Sequence, residues 1–98
     1  MHFIVLFEDN PEKADQRAKH MAAHLAFLEK NSSRVKIAGP LIDPVNGAGA
    51  GGLWLVEAAD AAQVRTLVET DPFWPTGLRK SVNILQWKKV YKDGKKLA

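Results

Sequence analysis

Two histidines stand one helical turn apart in "RAKHMAAHLAFLEKN", at positions 20 and 24, and an aspartate, Asp71, stands before a proline in "TDPFWPTGL". Imidazole and carboxylate together can move a proton near neutral pH. An aspartate that accepts from one ring nitrogen selects the tautomer and leaves the other nitrogen free for general acid–base work. Asp71 invites that reading by its position. It closes a predicted helix, where a carboxylate opposes the negative end of the macrodipole, and Pro72 holds it away from helical geometry. A carboxylate set against both preferences wants a partner. Loop amides, Arg79, Arg65 or an imidazole are the candidates in this chain.

His20 and His24, both on one flank of a helix, are the candidate imidazoles. In the first predicted helix, Ala14, Ala18, Met21, Leu25 and Leu28 recur at spacings of four and three and define the expected core stripe. At about 100° per residue, His24 lies about 60° to one side of Met21, on the border of that stripe. Its flank also carries Arg17, His20, Phe27 and Asn31, a plausible pocket wall and equally an ordinary surface with two solvated histidines. His20 and His24 have the i, i+4 spacing of a metal pair, but no third ligand stands out and no metal is expected. The chain has no cysteine, which excludes thiol nucleophiles and disulfides. Phe27, Phe73 and Trp74 are candidates for an aromatic slot beside the two groups, with plain core packing as the alternative. The "GAGAGG" stretch lacks the lysine and hydroxyl of a phosphate-binding loop. The glycine-rich segment from Val45 to Gly52 is expected as an irregular loop that serves as a mobile lid.

The elements that must position these residues follow from local pattern. "HFIVLFE" reads as a strand, apolar on both faces, and "DNPE" supplies a helix start with Pro11 at its first position. "RVKIAGPLI" is a second strand with Val35 and Ile37 on one face, stopped at Gly39-Pro40, and "GLWLVEA" is a third. Asp60 caps a second helix whose buried stripe is Ala61, Val64, Leu67 and Val68. "SVNILQW" closes the set. The order β-α-β-β-α-β predicts an α+β, ferredoxin-like fold: an antiparallel sheet with both helices on one face. The strands are apolar on the other face as well, which predicts a homodimer packed sheet against sheet.

The 98 residues make one domain, over about residues 1–90, followed by a basic tail over 91–98. Five lysines between Lys88 and Lys96 account for the net charge of +3, so the tail is expected as a solvated end and no nucleic-acid partner is predicted. RNA-binding sheets of this topology use an arginine- or lysine-led aromatic motif that "HFIVLFE" and "GLWLVEA" lack. Met1 leads directly into the first strand, without a leader pattern, and no apolar run approaches the roughly 20 residues of a membrane span. A cytoplasmic protein with no membrane partner is expected.

"AAHLAFLEKN", "KIAGPLID", "GAGAGG", "WLVEAADAAQVRTLVETDPF" and "GLRKSVNILQW" together resemble the YciI-like family in order and spacing, from about residue 3 to Trp87. The resemblance implies a dimeric α/β barrel built on the ferredoxin-like fold, and a paired His and Asp at His24 and Asp71. It implies a small-molecule ligand, no cofactor, and chemistry of the lyase or isomerase kind on a cyclic or aromatic metabolite, such as the elimination of chloride from a chlorinated hydroxyquinol. The alternative is a non-catalytic ligand-binding or accessory protein. The resemblance also implies an arginine three positions before the histidine, where this chain has Met21; Arg17, one turn earlier on roughly the same flank, is the candidate substitute.

Overall fold

Alternation of side chains builds the sheet in the computed structural model, which describes residues 1–97. In β1 (His2–Asp9), Phe3, Val5 and Phe7 are buried and Ile4 and Leu6 are half-buried on the opposite face. β1 pairs antiparallel with β3 (Gly49–Glu57) on one side and with β4 (Arg79–Gln86) on the other, and β2 (Val35–Ile42) pairs with β3. The order is β2-β3-β1-β4, all antiparallel, which is the ferredoxin-like α+β fold. Phe3, Val5 and Phe7 of β1 and Trp54 and Val56 of β3 meet Val64, Leu67 and Val68 of α2 (Ala61–Thr70) in one core, with Phe27 and Leu28 of α1 (Asp15–Lys30) packed against it. Of the expected α2 stripe, only Ala61 stays exposed. Asp60 caps α2 by accepting from the Gln63 amide at 2.9 Å.

Several local expectations are corrected. Pro11–Lys13 is a short 3₁₀ turn capped by Asn10, and α1 begins two residues later. α1 does not bury the alanine and leucine stripe. Ala14 and Ala18 are exposed, Leu25 is 51% exposed, and the helix's buried residue is His24. Alanines contribute little transfer energy, so they cannot dictate which face turns inward when polar partners await the neighbouring one. β2 runs through Gly39-Pro40 to Ile42. Val35 pairs with Val56 but Ile37 with Leu55, so Lys36 is an extra residue that turns Ile37 to the outer face, 62% exposed.

The glycine-rich segment is not a lid over its second half: Gly49 to Gly52 belong to β3 and pair with β2. Pro40 opposes Gly52 and Ile42 opposes Gly49, which leaves one extra residue on β3. Gly51, at φ 91°, takes up that bulge, and a Cβ there would sit 2.0 Å from the Phe7 carbonyl oxygen. Only glycine fits. In the basic tail, Tyr91–Lys92 and Lys95–Lys96 form a hairpin, β5 and β6, turned by Asp93 and Gly94 at positive φ. Ala98, the last residue of that tail, lies outside the described residues. Among the described residues no helix is long and apolar enough to cross a membrane.

Candidate functional site

The site grows from the end of α2. Asp71 leaves the helix at φ −61° and ψ 132°, an extended conformation that Pro72 favours. Its carboxylate, 2% exposed, turns back under the sheet's helical cover. There Oδ1 lies 2.8 Å from His24 Nδ1 and accepts from the Phe73 amide at 3.1 Å, while Oδ2 accepts from Arg79 Nη2 at 3.0 Å. Three partners raised as alternatives for Asp71, a loop amide, the imidazole and Arg79, are thus all present. Arg65 instead pairs with Glu69 on the exposed side of α2.

Arg79 reaches this position through a second bulge. Val82 and Ile84 of β4 face the core opposite Phe7 and Val5, and a strict period of two would turn Lys80 inward and Arg79 outward. Glu8 pairs with Ser81 but Asp9 with Arg79, so Lys80 is an extra residue and the alternation reverses. The Arg79 side chain is then 4% exposed, with its guanidinium carbon 3.6 Å from the centroid of the Phe7 ring. Burial pushes this guanidinium below its ordinary value, and the charges of Asp71 and Asp9 pull it partly back. Because the folded value is the depressed one, the burial penalty is relieved only as pH climbs into the strongly alkaline range. Arg79 is a fixed cation around neutrality.

His24 is 7% exposed and its ring lies flat on Phe73, with centroids 4.2 Å apart and planes at 21°. With Nδ1 engaged by Asp71, Nε2 is the nitrogen left for a ligand. His24 forms part of the wall of a cleft of about 120 Å³, together with Met21, Leu25 and Leu28 of α1, Ala38 to Pro40 of β2, and Gly52 to Trp54 of β3. Arg17 and Arg79 complete the lining. Among the described residues no acidic one belongs to it.

Of the residues expected to bind substrate, Arg17 lines the cleft and is held by an ion pair with Asp9. Phe73 is fully buried beneath His24; Phe27 and Trp74 pack against the core, and none of the three is in the cleft wall. The aromatic that does line it is Trp54, placed by strand alternation. His2 sits 3.7 Å from Glu57, on the far part of the sheet. Among the described residues no three His, Asp or Glu side chains gather as a metal site. Sequence reasoning named Arg79 only as a possible partner for Asp71, and no local signal marks the bulge that buries it.

A sequence profile of the YCII-related domain matches residues 1–88. Among solved structures, the chain is similar to 5-chloro-2-hydroxyhydroquinone dehydrochlorinase from Burkholderia phenoliruptrix, in complex with 2,5-dihydroxybenzoquinone. The identity is 30%, the TM-score 0.79, and the match covers 90% of this chain and 94% of that one. A protein provisionally named as an antibiotic biosynthesis monooxygenase, from Bacteriodes thetaiotaomicron, shares the fold at 12% identity and a TM-score of 0.57, over 97% of this chain and 93% of that one. No curated protein sequence matches. The profile over nearly the whole chain and the ferredoxin-like sheet agree: the chain belongs to the YCII-related family.

Proposed function

We propose that this protein is a small-molecule enzyme of the lyase or isomerase type, in which His24 moves a proton on a cyclic or aromatic metabolite and Asp71 orients the imidazole. The observation that carries the reading is the buried contact of 2.8 Å between His24 Nδ1 and Asp71 Oδ1, beside a cleft that His24 helps to line. A proton on Nδ1, donated to Asp71, leaves the lone pair on Nε2. In an elimination, Nε2 takes the proton. The electron pair of the bond that breaks becomes the new double bond, and the leaving group departs with its own bonding pair. The likeness to a dehydrochlorinase supports this class of step. Positioned acid–base catalysis of this kind is worth roughly 10²–10⁴ in rate. Arg17 adds a cation to the cleft, and Phe73 supports the imidazole from beneath, with Phe27 and Trp74 acting through packing.

A second reading, a ligand-binding protein without catalysis, is favoured by one observation: apolar Met21 stands in the cleft wall, at the position where the family resemblance implies a cation. We also propose a homodimer through the open sheet face, where Ile4, Leu53, Leu85 and Trp87 line an apolar hollow and Leu85 and Trp87 are each 48% exposed. Sedimentation at micromolar concentration tests it, and a monomer there rejects it.

The acid–base reading is tested in two steps. Ring-nitrogen NMR on the wild type is expected to show His24 as the Nδ1–H tautomer, with His2 and His20 as internal controls. Chloride release from 5-chloro-2-hydroxyhydroquinone is then compared with His24→Gln, and a loss of about 10²–10⁴ is expected. A proton resident on Nε2, or unchanged turnover in His24→Gln, sinks the reading. Binding without turnover in the wild type selects the second one.

A further inference from the structure

Gly52 is buried in the middle of β3, has no strained φ, and forms part of the cleft wall. A Cβ placed there would lie 3.6 Å from Arg79 Nη1, 3.7 Å from the Phe7 ring and 3.5 Å from the Gly39 carbonyl oxygen. These are ordinary contacts. The missing methyl group is therefore not forced by backbone strain; its absence opens a window from the cleft onto Nη1. Arg79 uses Nη2 for Asp71, and among the described residues no hydrogen bond engages Nη1.

Charge and size point the same way. Among the described residues, the polar side chains of the lining are Arg17, Arg79 and His24, set among Met21, Leu25, Leu28, Leu53 and Trp54; the carboxylates that pair with them, Asp9 and Asp71, lie outside that lining. A guanidinium with an unused donor at a largely apolar cleft attracts an anionic oxygen through a charge-assisted hydrogen bond. Burial costs the Arg79 cation more than its protein partners return, as its lowered pKa indicates. A bound anion would offset that shortfall. The volume of about 120 Å³ is close to the roughly 150 Å³ that holds one benzene molecule, and far below what a nucleotide requires.

We infer that the cleft takes a single-ring anion, a carboxylate or a phenolate, whose charged oxygen is received by Arg79 through the window that Gly52 leaves open. Gly52 is thus a specificity-determining position and Arg79 the anion receptor, a role distinct from its hold on Asp71. The inference names the ligand class of the site proposed above and rests on that reading for its location.

The test compares anions with a neutral isostere and needs no turnover. Benzoate, 4-nitrophenolate and benzamide are titrated into the wild type and into Gly52→Ala by NMR. Arg79 itself is left intact, because its loss would also free Asp71. In the wild type at least one anion is expected to bind about 10- to 100-fold tighter than benzamide and to shift the Arg79 Nε–H resonance. Whichever anion is preferred identifies the oxygen. In Gly52→Ala the preference should fall to within about threefold, because the new methyl group covers Nη1. Equal affinity for benzamide, a preference that survives Gly52→Ala, or no binding of any probe at millimolar concentration overturns the inference. A wrong His24 tautomer combined with intact anion preference would overturn only the acid–base reading.

Discussion

The two helices cover the same face of the sheet and do opposite things with it. α2 turns Val64, Leu67 and Val68 inward, all at most 4% exposed, and closes the core as an amphipathic helix is expected to. α1 is longer, yet its buried residue is His24, with Leu25 half in solvent. The difference lies in what each helix meets. α2 packs on the apolar middle of the sheet. The inward face of α1 meets the end of β1 and β4, where Asp9 and Arg79 replace the hydrophobic alternation, and where Asp71 arrives from α2. The fold keeps one helix for cohesion and gives the other a polar network to dock on. That network is held by hydrogen bonds rather than by buried area.

Removing the anchor of the polar network is expected to have the largest effect on that contrast. Asp71→Ala leaves the Arg79 guanidinium buried without its carboxylate and His24 without its hydrogen-bond partner, and about 3–5 kcal/mol of stability is expected to be lost in urea unfolding. A loss below about 1 kcal/mol would mean that the network is incidental to the docking of α1. The cohesive helix is next. Leu67→Ala should cost about 2–5 kcal/mol while leaving the His24 tautomer unchanged. The smallest effect is expected from the same substitution on the other helix: Leu25→Ala, at a side chain half in solvent, should stay within about 0.5 kcal/mol. Similar losses for the two leucines would erase the distinction between the helices.

Much of the scaffold was legible in sequence because it depends on neighbours in the chain. The strand alternation of "HFIVLFE", the Asp60 cap and the Val64–Leu67–Val68 stripe are set by spacing and by local hydrogen bonding, and the structure contains each of them. Pro72 likewise announces that Asp71 leaves the helix, since its ring excludes helical geometry in the residue before it. The Asp93-Gly94 hairpin is equally local, though the five lysines around it give that segment the composition of a solvated end.

The failures share a different physics. Each bulge, at Lys36, Gly51 and Lys80, is a property of a pair of strands, set by which register satisfies the ladder on both sides. No single strand's pattern contains it. The choice between two faces of α1 was also not local, because a stripe of alanines and a flank carrying Arg17 and His24 differ little in transfer energy until Asp71 and Arg79 are in place. The sequence by itself therefore determined the order of elements, the core of α2 and the exit of Asp71. Only the tertiary structure decided that His24 turns inward and that Arg79 comes within reach of the cleft, because one extra residue in β4 reverses every side chain beyond it.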